Sequence, residues 1–176
     1  KMFLTEAALA ASVRRALEFD VQPVIHAMGD KAIDTTLKVI EKTPPNVRFR
    51  IEQAAVLNKN LIERLKNQNI VVSIQPKVIS TEFTVWSAEQ RLGKRAELLH
   101  PLKTLLDEGI VVAGGSDCPM EPLSALLGMQ DLVMRQSYPG QRLSVDEAIR
   151  LYTLYAAYCS GEEAVKGSIE EGKLAD

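Results

Sequence analysis

The chain has 176 residues, 46% of them apolar and 25% charged, with a net charge of −2. That length gives one domain with a sizeable core. The near-neutral balance, without any dense Lys/Arg cluster, excludes a nucleic-acid footprint, and no apolar run reaches the ~18 residues of a membrane span.

Residues 1–5 lack the apolar stretch of a signal peptide. The two cysteines, Cys118 and Cys159, show neither CxxC spacing nor a disulfide framework. A reducing, cytoplasmic setting is the expectation. With His26 and His100 as its two histidines, the chain cannot build a many-histidine metal site alone.

In chain order, residues 5–19 are rich in Ala and Leu and predict a helix. Residues 21–25 predict a short strand that Pro23 pushes toward a sheet edge or terminus. Residues 31–42 place Ile33, Leu37 and Ile40 on one helical face, and Thr43-Pro44-Pro45-Asn46 ends that helix. A strand over 47–52 and a helix over 58–67 follow. The run Ile70-Val71-Val72-Ser73-Ile74 predicts a third strand, stopped by Gln75-Pro76. Residues 77–93, with Phe83 and Trp86, read as a long loop or short helices lying over the strand ends.

A helix over 101–108 leads through Gly109 into a fourth strand over 110–113, and residues 124–136 are helical. Ser144 and Glu147 form a capping box for a helix reaching Tyr158. The tail from Gly167 to Asp176 reads as a turn and the start of another strand. Four strands alternating with helices specify an α/β protein with a parallel sheet. A closed eight-stranded barrel needs ~250 residues, so the chain is at most half of one, or a small open sheet.

The chemistry gathers where strands end. The fourth strand closes on Gly114-Gly115-Ser116-Asp117-Cys118-Pro119, and Val24-Ile25 leads into His26-Ala27-Met28-Gly29-Asp30. Open α/β sheets and barrels place their reactive groups at such ends. His26 can ligate a metal through neutral imidazole, although a backbone-bonded structural histidine explains it too. Asp117 can bind metal and take a proton from water, or simply form an Asx turn before Pro119. Asp30 suits the first turn of the next helix, where it complements the dipole.

Of Glu52 and Gln53, one must face the strand-end cleft and the other the helix layer, because alternate side chains oppose. Gln53 can bond substrate through its amide but is a poor metal ligand, its oxygen being neutral. Cys118 reads as a packing residue rather than a soft ligand, and loop packing suffices for Trp86 and His100. No strand runs into a Gly-x-Gly-x-x-Gly turn, which removes a nucleotide-binding reading.

Taken in order, His26-Ala27-Met28-Gly29-Asp30, Arg50-Ile51-Glu52-Gln53, Ser73-Ile74-Gln75-Pro76, Gly115-Ser116-Asp117 and the stretch from Gly167 to Asp176 resemble the amidohydrolase superfamily. The branch containing N-substituted formamide deformylases is the most similar. The resemblance implies that residues 1–176 are the C-terminal half of a (β/α)8 TIM-type barrel, strands five to eight. The first barrel half and a small β-sandwich domain would then be absent. It further implies a divalent metal, usually zinc, with His26 and Asp117 as ligands and Asp117 as general base on the hydrolytic water.

Two departures stand out. Gln53 occupies the position where the family usually has histidine, which puts a binuclear site in doubt. The strands that would supply further ligands are also missing.

The function expected is therefore that of a fragment of a metal-dependent amidohydrolase. It would cleave a C–N bond of a small-molecule amide, formamide or cyclic amide, and be inactive as an isolated chain. The competing expectation is a metal-free barrel relic acting as a scaffold or small-molecule binding module. Open sheet edges and an inner face expected to be rich in Val and Ile predict a homo-oligomer.

Overall fold

The computed structural model describes residues 3–175; Lys1, Met2 and Asp176, at the two ends of the stretches read above, lie outside the described residues. Four strands, β1 (Val24–Ala27), β2 (Phe49–Gln53), β3 (Ile70–Ile74) and β4 (Val111–Gly114), form one sheet in the order β1-β2-β3-β4. Every neighbouring pair is parallel. The expected α/β class and its parallel sheet are therefore observed.

The strands lie close to their expected places, and local bonding explains the offsets. Pro23 cannot donate to a ladder. It sits just outside β1, where its carbonyl accepts from Arg50 N at 3.1 Å. Val47 is bonded in a turn to Pro44 O, so β2 begins later. Ile110 N is held by Leu105 O, and β4 starts one residue on.

Helices α1 (Glu6–Glu18), α2 (Asp30–Ile40), α3 (Lys59–Lys66), α4 (Pro76–Thr84), α5 (Ala88–Leu92), α6 (Leu102–Asp107), α7 (Ala125–Val133), α8 (Val145–Tyr152) and α9 (Leu154–Cys159) fill the connections. Thr5, Asn58 and Ser124 cap α1, α3 and α7 through their side chains. The Ser144–Glu147 capping box is formed at α8. The single helix expected from Ser144 to Tyr158 is instead broken at Thr153, whose φ of −122° and ψ of −91° leave the helical region. Residues 76–92 hold α4 and α5, the short-helix version of the loop expected there.

No strand forms among the described residues of the tail. It folds into a compact turn in which Leu174 N donates to Val165 O and Lys173 Nζ donates to Glu163 O. Gly167 is required in it. Its φ is +92°, and a Cβ would come within 2.6 Å of Ala157 Cβ. Arg48 ties the tail to the sheet, pairing with Glu163 at 2.8 Å while its guanidinium lies 3.7 Å from the centre of the Tyr158 ring.

Register separates the two faces of the sheet. Ile51, Val72 and Val112 stand side by side, and with Phe49, Ile70 and Ile74 they form the main core. Ile33 and Leu37 of α2, Leu61 and Leu65 of α3 and Leu102 and Leu105 of α6 pack onto them. The other face carries Val24, Arg50, Val71 and Val111 in one row and His26, Glu52, Ser73 and Ala113 in the next.

That inner face corrects the expectation of a Val- and Ile-rich surface. The isoleucines belong to the helix side, while the inner side mixes valine with polar groups. Cys159 of α9 partly covers it through Val71 and Ala113, and burial pushes the Cys159 thiol up from its ordinary pKa.

Three stability outcomes follow. Ser144→Ala should cost about 1 kcal/mol in denaturant unfolding, through loss of the α8 cap. Gly128→Ala should cost about 1–3 kcal/mol, because its Cβ would fall 1.9 Å from Tyr152 Oη.

The third concerns acid. The Ser144 N–H holds the Glu147 carboxyl below its ordinary value of 4.5, and Arg48 does the same for Glu163. Lowered carboxyl values give stability that is present above the unfolded value and lost as pH falls through the folded one. Denaturation midpoints at stepped pH should therefore fall below pH 4.5, and Glu147→Gln, which removes the titrating carboxyl, should reduce that acid sensitivity.

Candidate functional site at the strand ends

Because all four strands run the same way, the segments after β1, β2, β3 and β4 leave the sheet at one end. His26 belongs to the last turn of β1, and Asp117 follows β4 by three residues, so both stand at that end. They lie on opposite edges of the sheet, three strand spacings apart, or roughly 14 Å along a flat sheet before curvature shortens it. Among the described residues no three His, Cys, Asp or Glu side chains gather closely enough to hold a metal ion.

His26 is exposed along the unpaired edge of β1. It opens into a cleft of ≈ 650 Å³ shared with Leu4, Ile25, Met28 and Asp30. A larger cleft, ≈ 930 Å³, lies between α8, α9 and the tail and contains none of the strand-end groups. Asp117 is exposed and left-handed, with φ of +61°, a conformation aspartate tolerates well. Its carbonyl accepts from Met120 N at 2.8 Å. Asp30 is a first-turn acid of α2, as expected, and its carboxylate also pairs with Arg95.

The alternatives at the end of β2 resolve clearly. Glu52 shares the inner row with His26 and Ser73. Its Oε1 pairs with Arg50 Nε, while its Oε2 accepts from Ser73 Oγ at 2.9 Å and from Gln75 Nε2 at 3.2 Å. Four polar residues thus line the inner wall beside His26, where barrels ordinarily stack apolar layers.

Gln53 is in register with Ala27, is 8% exposed and has a buried Oε1 without a hydrogen-bond partner. Its φ of +74°, followed by +40° at Ala54, makes a left-handed pair at the strand end. Neither residue type favours that region, and each such residue costs roughly 1–2 kcal/mol.

The Glu52 network was not singled out from sequence, although a signal existed. Arg50 and Glu52 are two apart in a strand and must share a face. A second group also escaped. His100, 1% exposed, places Nε2 at 2.7 Å from Oε2 of Glu82, itself 5% exposed. Arg135, 4% exposed, donates to His100 O at 2.6 Å and to Leu99 O at 3.0 Å. Burial lowers the Arg135 pKa to about 10 against the opposing pull of Glu82. Trp86 is surface-exposed. His100 is thus a core residue, as loop packing suggested.

A parallel α/β sheet with α2, α3 and α6 on one face and polar groups toward its strand ends is a barrel-type arrangement. The family assignment follows from comparison with known proteins. The amidohydrolase family model matches residues 1–176, and the chain belongs to that family.

It is 40% identical to a putative amidohydrolase, YtcJ, of Bacillus subtilis strain 168, over 96% of this chain and 34% of that protein. It is 29% identical to the N-substituted formamide deformylase of Arthrobacter pascens, over 92% of this chain and 32% of that one. An uncharacterized metal-dependent hydrolase from Pyrococcus furiosus superposes with a TM-score of 0.90 at 29% identity, covering 99% of this chain and 36% of that chain. The chain therefore spans about a third of the length of these relatives. Its four parallel strands are those of an amidohydrolase TIM barrel.

The inner network can be tested directly. Glu52→Leu leaves Arg50 beside Ser73 without its carboxylate. With Arg50 one-third exposed, solvent tempers the loss, and about 1–2 kcal/mol is expected on denaturant unfolding. The double variant Arg50→Leu/Glu52→Leu should recover part of it, since removing both partners spares the orphaned charge.

Proposed function

We propose that the chain is the C-terminal barrel half of a metal-dependent amidohydrolase that cleaves a C–N bond of an amide, formamide or cyclic amide. The observation that carries this reading is the placement of His26 and Asp117 at one end of a parallel sheet. The family membership of the chain supports it.

The donors suit part of a metal site. An imidazole and a carboxylate are the ligand types a divalent ion such as zinc takes, but a catalytic zinc has three protein ligands. His26 and Asp117 would hold the ion, and Gln53 contributes only a neutral oxygen. When bound, such an ion polarises a carbonyl and lowers the pKa of water.

The chain's own groups do the rest. Asp117, on its left-handed turn, takes the proton of the attacking water and delivers it to the leaving nitrogen. The unpartnered Oε1 of Gln53 accepts an N–H of the amide substrate. The Arg50–Glu52–Ser73 network holds the wall beside His26.

In a full-length parent, Asp117→Asn should lower kcat about 10²–10⁴-fold with the fold intact. Retention of activity would remove the general-base role. Titration calorimetry of the isolated chain with zinc should show weak binding and assays no amidase activity. A tight stoichiometric site would overturn the two-ligand reading. Gln53→His in the parent should raise metal content, provided that the rest of a binuclear site is present.

One observation favours a second reading, a metal-free barrel relic that serves as a scaffold or binding module. Gln53 is neutral where the family resemblance implies a histidine, and no three-ligand cluster exists among the described residues. Unchanged metal content in the Gln53→His parent would support it.

We also propose a homo-oligomer, most simply a two-fold dimer. The β1 edge is unpaired, and Phe3, Leu4, Val21, Val24 and Met28 are exposed near it. Unpaired edges and apolar patches associate. Light scattering at micromolar concentration should give more than a monomer's mass, and a clean monomer would refute the assembly.

A further inference from the structure

The left-handed pair Gln53–Ala54 needs something to hold it, since strained backbone persists only where its surroundings over-determine it. On one side β1 does so. Ala54 N donates to Ala27 O at 3.1 Å, and Val56 N donates to Met28 O at 3.0 Å. On the other side stands the segment that ends at His100. Leu57 N donates to Leu98 O at 3.0 Å, His100 N donates to Ala55 O at 2.8 Å, and Val56 bridges Leu99 in antiparallel fashion.

That segment is pinned in turn by buried polar side chains. Glu82 comes from α4, the helix after β3, and holds the His100 ring. Arg135 follows α7, the helix after the Asp117 turn, and its guanidinium grips two successive carbonyls, Leu99 and His100. Arg135 Nε donates to Ser137 O at 2.7 Å, and Phe83 stands 5.8 Å below the guanidinium. His100 itself is left-handed at φ +49°. Its Nδ1 is buried without a hydrogen-bond partner.

From this arrangement we infer that Glu82, His100 and Arg135 form a positioning unit that clamps the segment after β2 and so sets the left-handed turn at Gln53, at the C-terminal end of the strand. The unit joins the segments that follow β2, β3 and β4, and none of its members reaches the strand-end cleft itself. It rests on the proposed function only in naming Gln53 a substrate contact.

The test uses the 176-residue chain and no substrate, so its failure and the failure of the amidohydrolase reading are distinguishable. Arg135→Met keeps an unbranched apolar stem and removes both carbonyl contacts. Amide hydrogen exchange at Leu57 and His100 should accelerate at least ~10-fold while Ile51, Val72 and Val112 in the sheet change less than ~2-fold. The Gln53 side-chain amide resonances should shift in the same variant. Arg135→Lys keeps the charge without the two-pronged grip and should give an intermediate response.

Unchanged exchange at Leu57 and His100, an unmoved Gln53 amide, or a uniform acceleration across the sheet would each overturn the inference. Should Arg135→Met fail to fold, the native chain decides. Leu57 and His100 should then open as one unit, with matched exchange protection, and protections differing more than ~10-fold would refute the clamp.

Discussion

A parallel sheet delivers every strand's C-terminal end to one side, and the rest of this molecule is organised by that constraint. The segment after β1 carries Gly29 and Asp30, β2 ends on Gln53 with Ala54 next, and the segment after β4 carries Asp117. Beyond the sheet ladder these segments depend on their neighbours. The bonds from Ala54 to Ala27 and from Val56 to Met28 join the first two. The contacts of Arg135 with Leu99 and His100 reach across to the last. Precision at the strand ends is thus a collective property of loops.

The two faces of the sheet answer to different physics. On the helix side, branched apolar side chains in register bury their area against α2, α3 and α6, and the hydrophobic effect supplies the stability. On the inner side, the Glu52 carboxylate accepts from a guanidinium, a hydroxyl and an amide. A pair of this kind is weak evidence for stability, since an apolar pair of similar volume often serves as well.

The sequence was most legible where a single local pattern governs. The unbroken run Ile70–Ile74 gave β3 with its bounds intact, and the Ser144–Glu147 box marked the start of α8. Bounds shifted where a bond from outside the element decided them, as with Ile110 and Leu105. The break at Thr153 and the turn of the tail depend on contacts with Ala157, Val165 and Glu163 that no local periodicity encodes. At the site, His26 and Asp117 could be read as strand-end residues. The left-handed Gln53 could not, because glutamine carries no preference for that conformation and its tethers lie tens of residues away. The same holds for Glu82, His100 and Arg135, whose partners are 18 and 35 residues apart in the chain.

Gln53 is where these threads meet. A histidine there would bring a second imidazole to the strand ends beside β1. The glutamine instead brings an amide whose oxygen is buried and unpartnered. An unsatisfied buried acceptor costs about 1–3 kcal/mol, and the left-handed backbone beneath it adds to that. Both burdens fall on one residue, and the side chains of Glu82, His100 and Arg135 secure the segment that follows it. An N–H donor arriving with a substrate amide would relieve the first burden, and that relief is binding energy spent at the reacting end of the sheet.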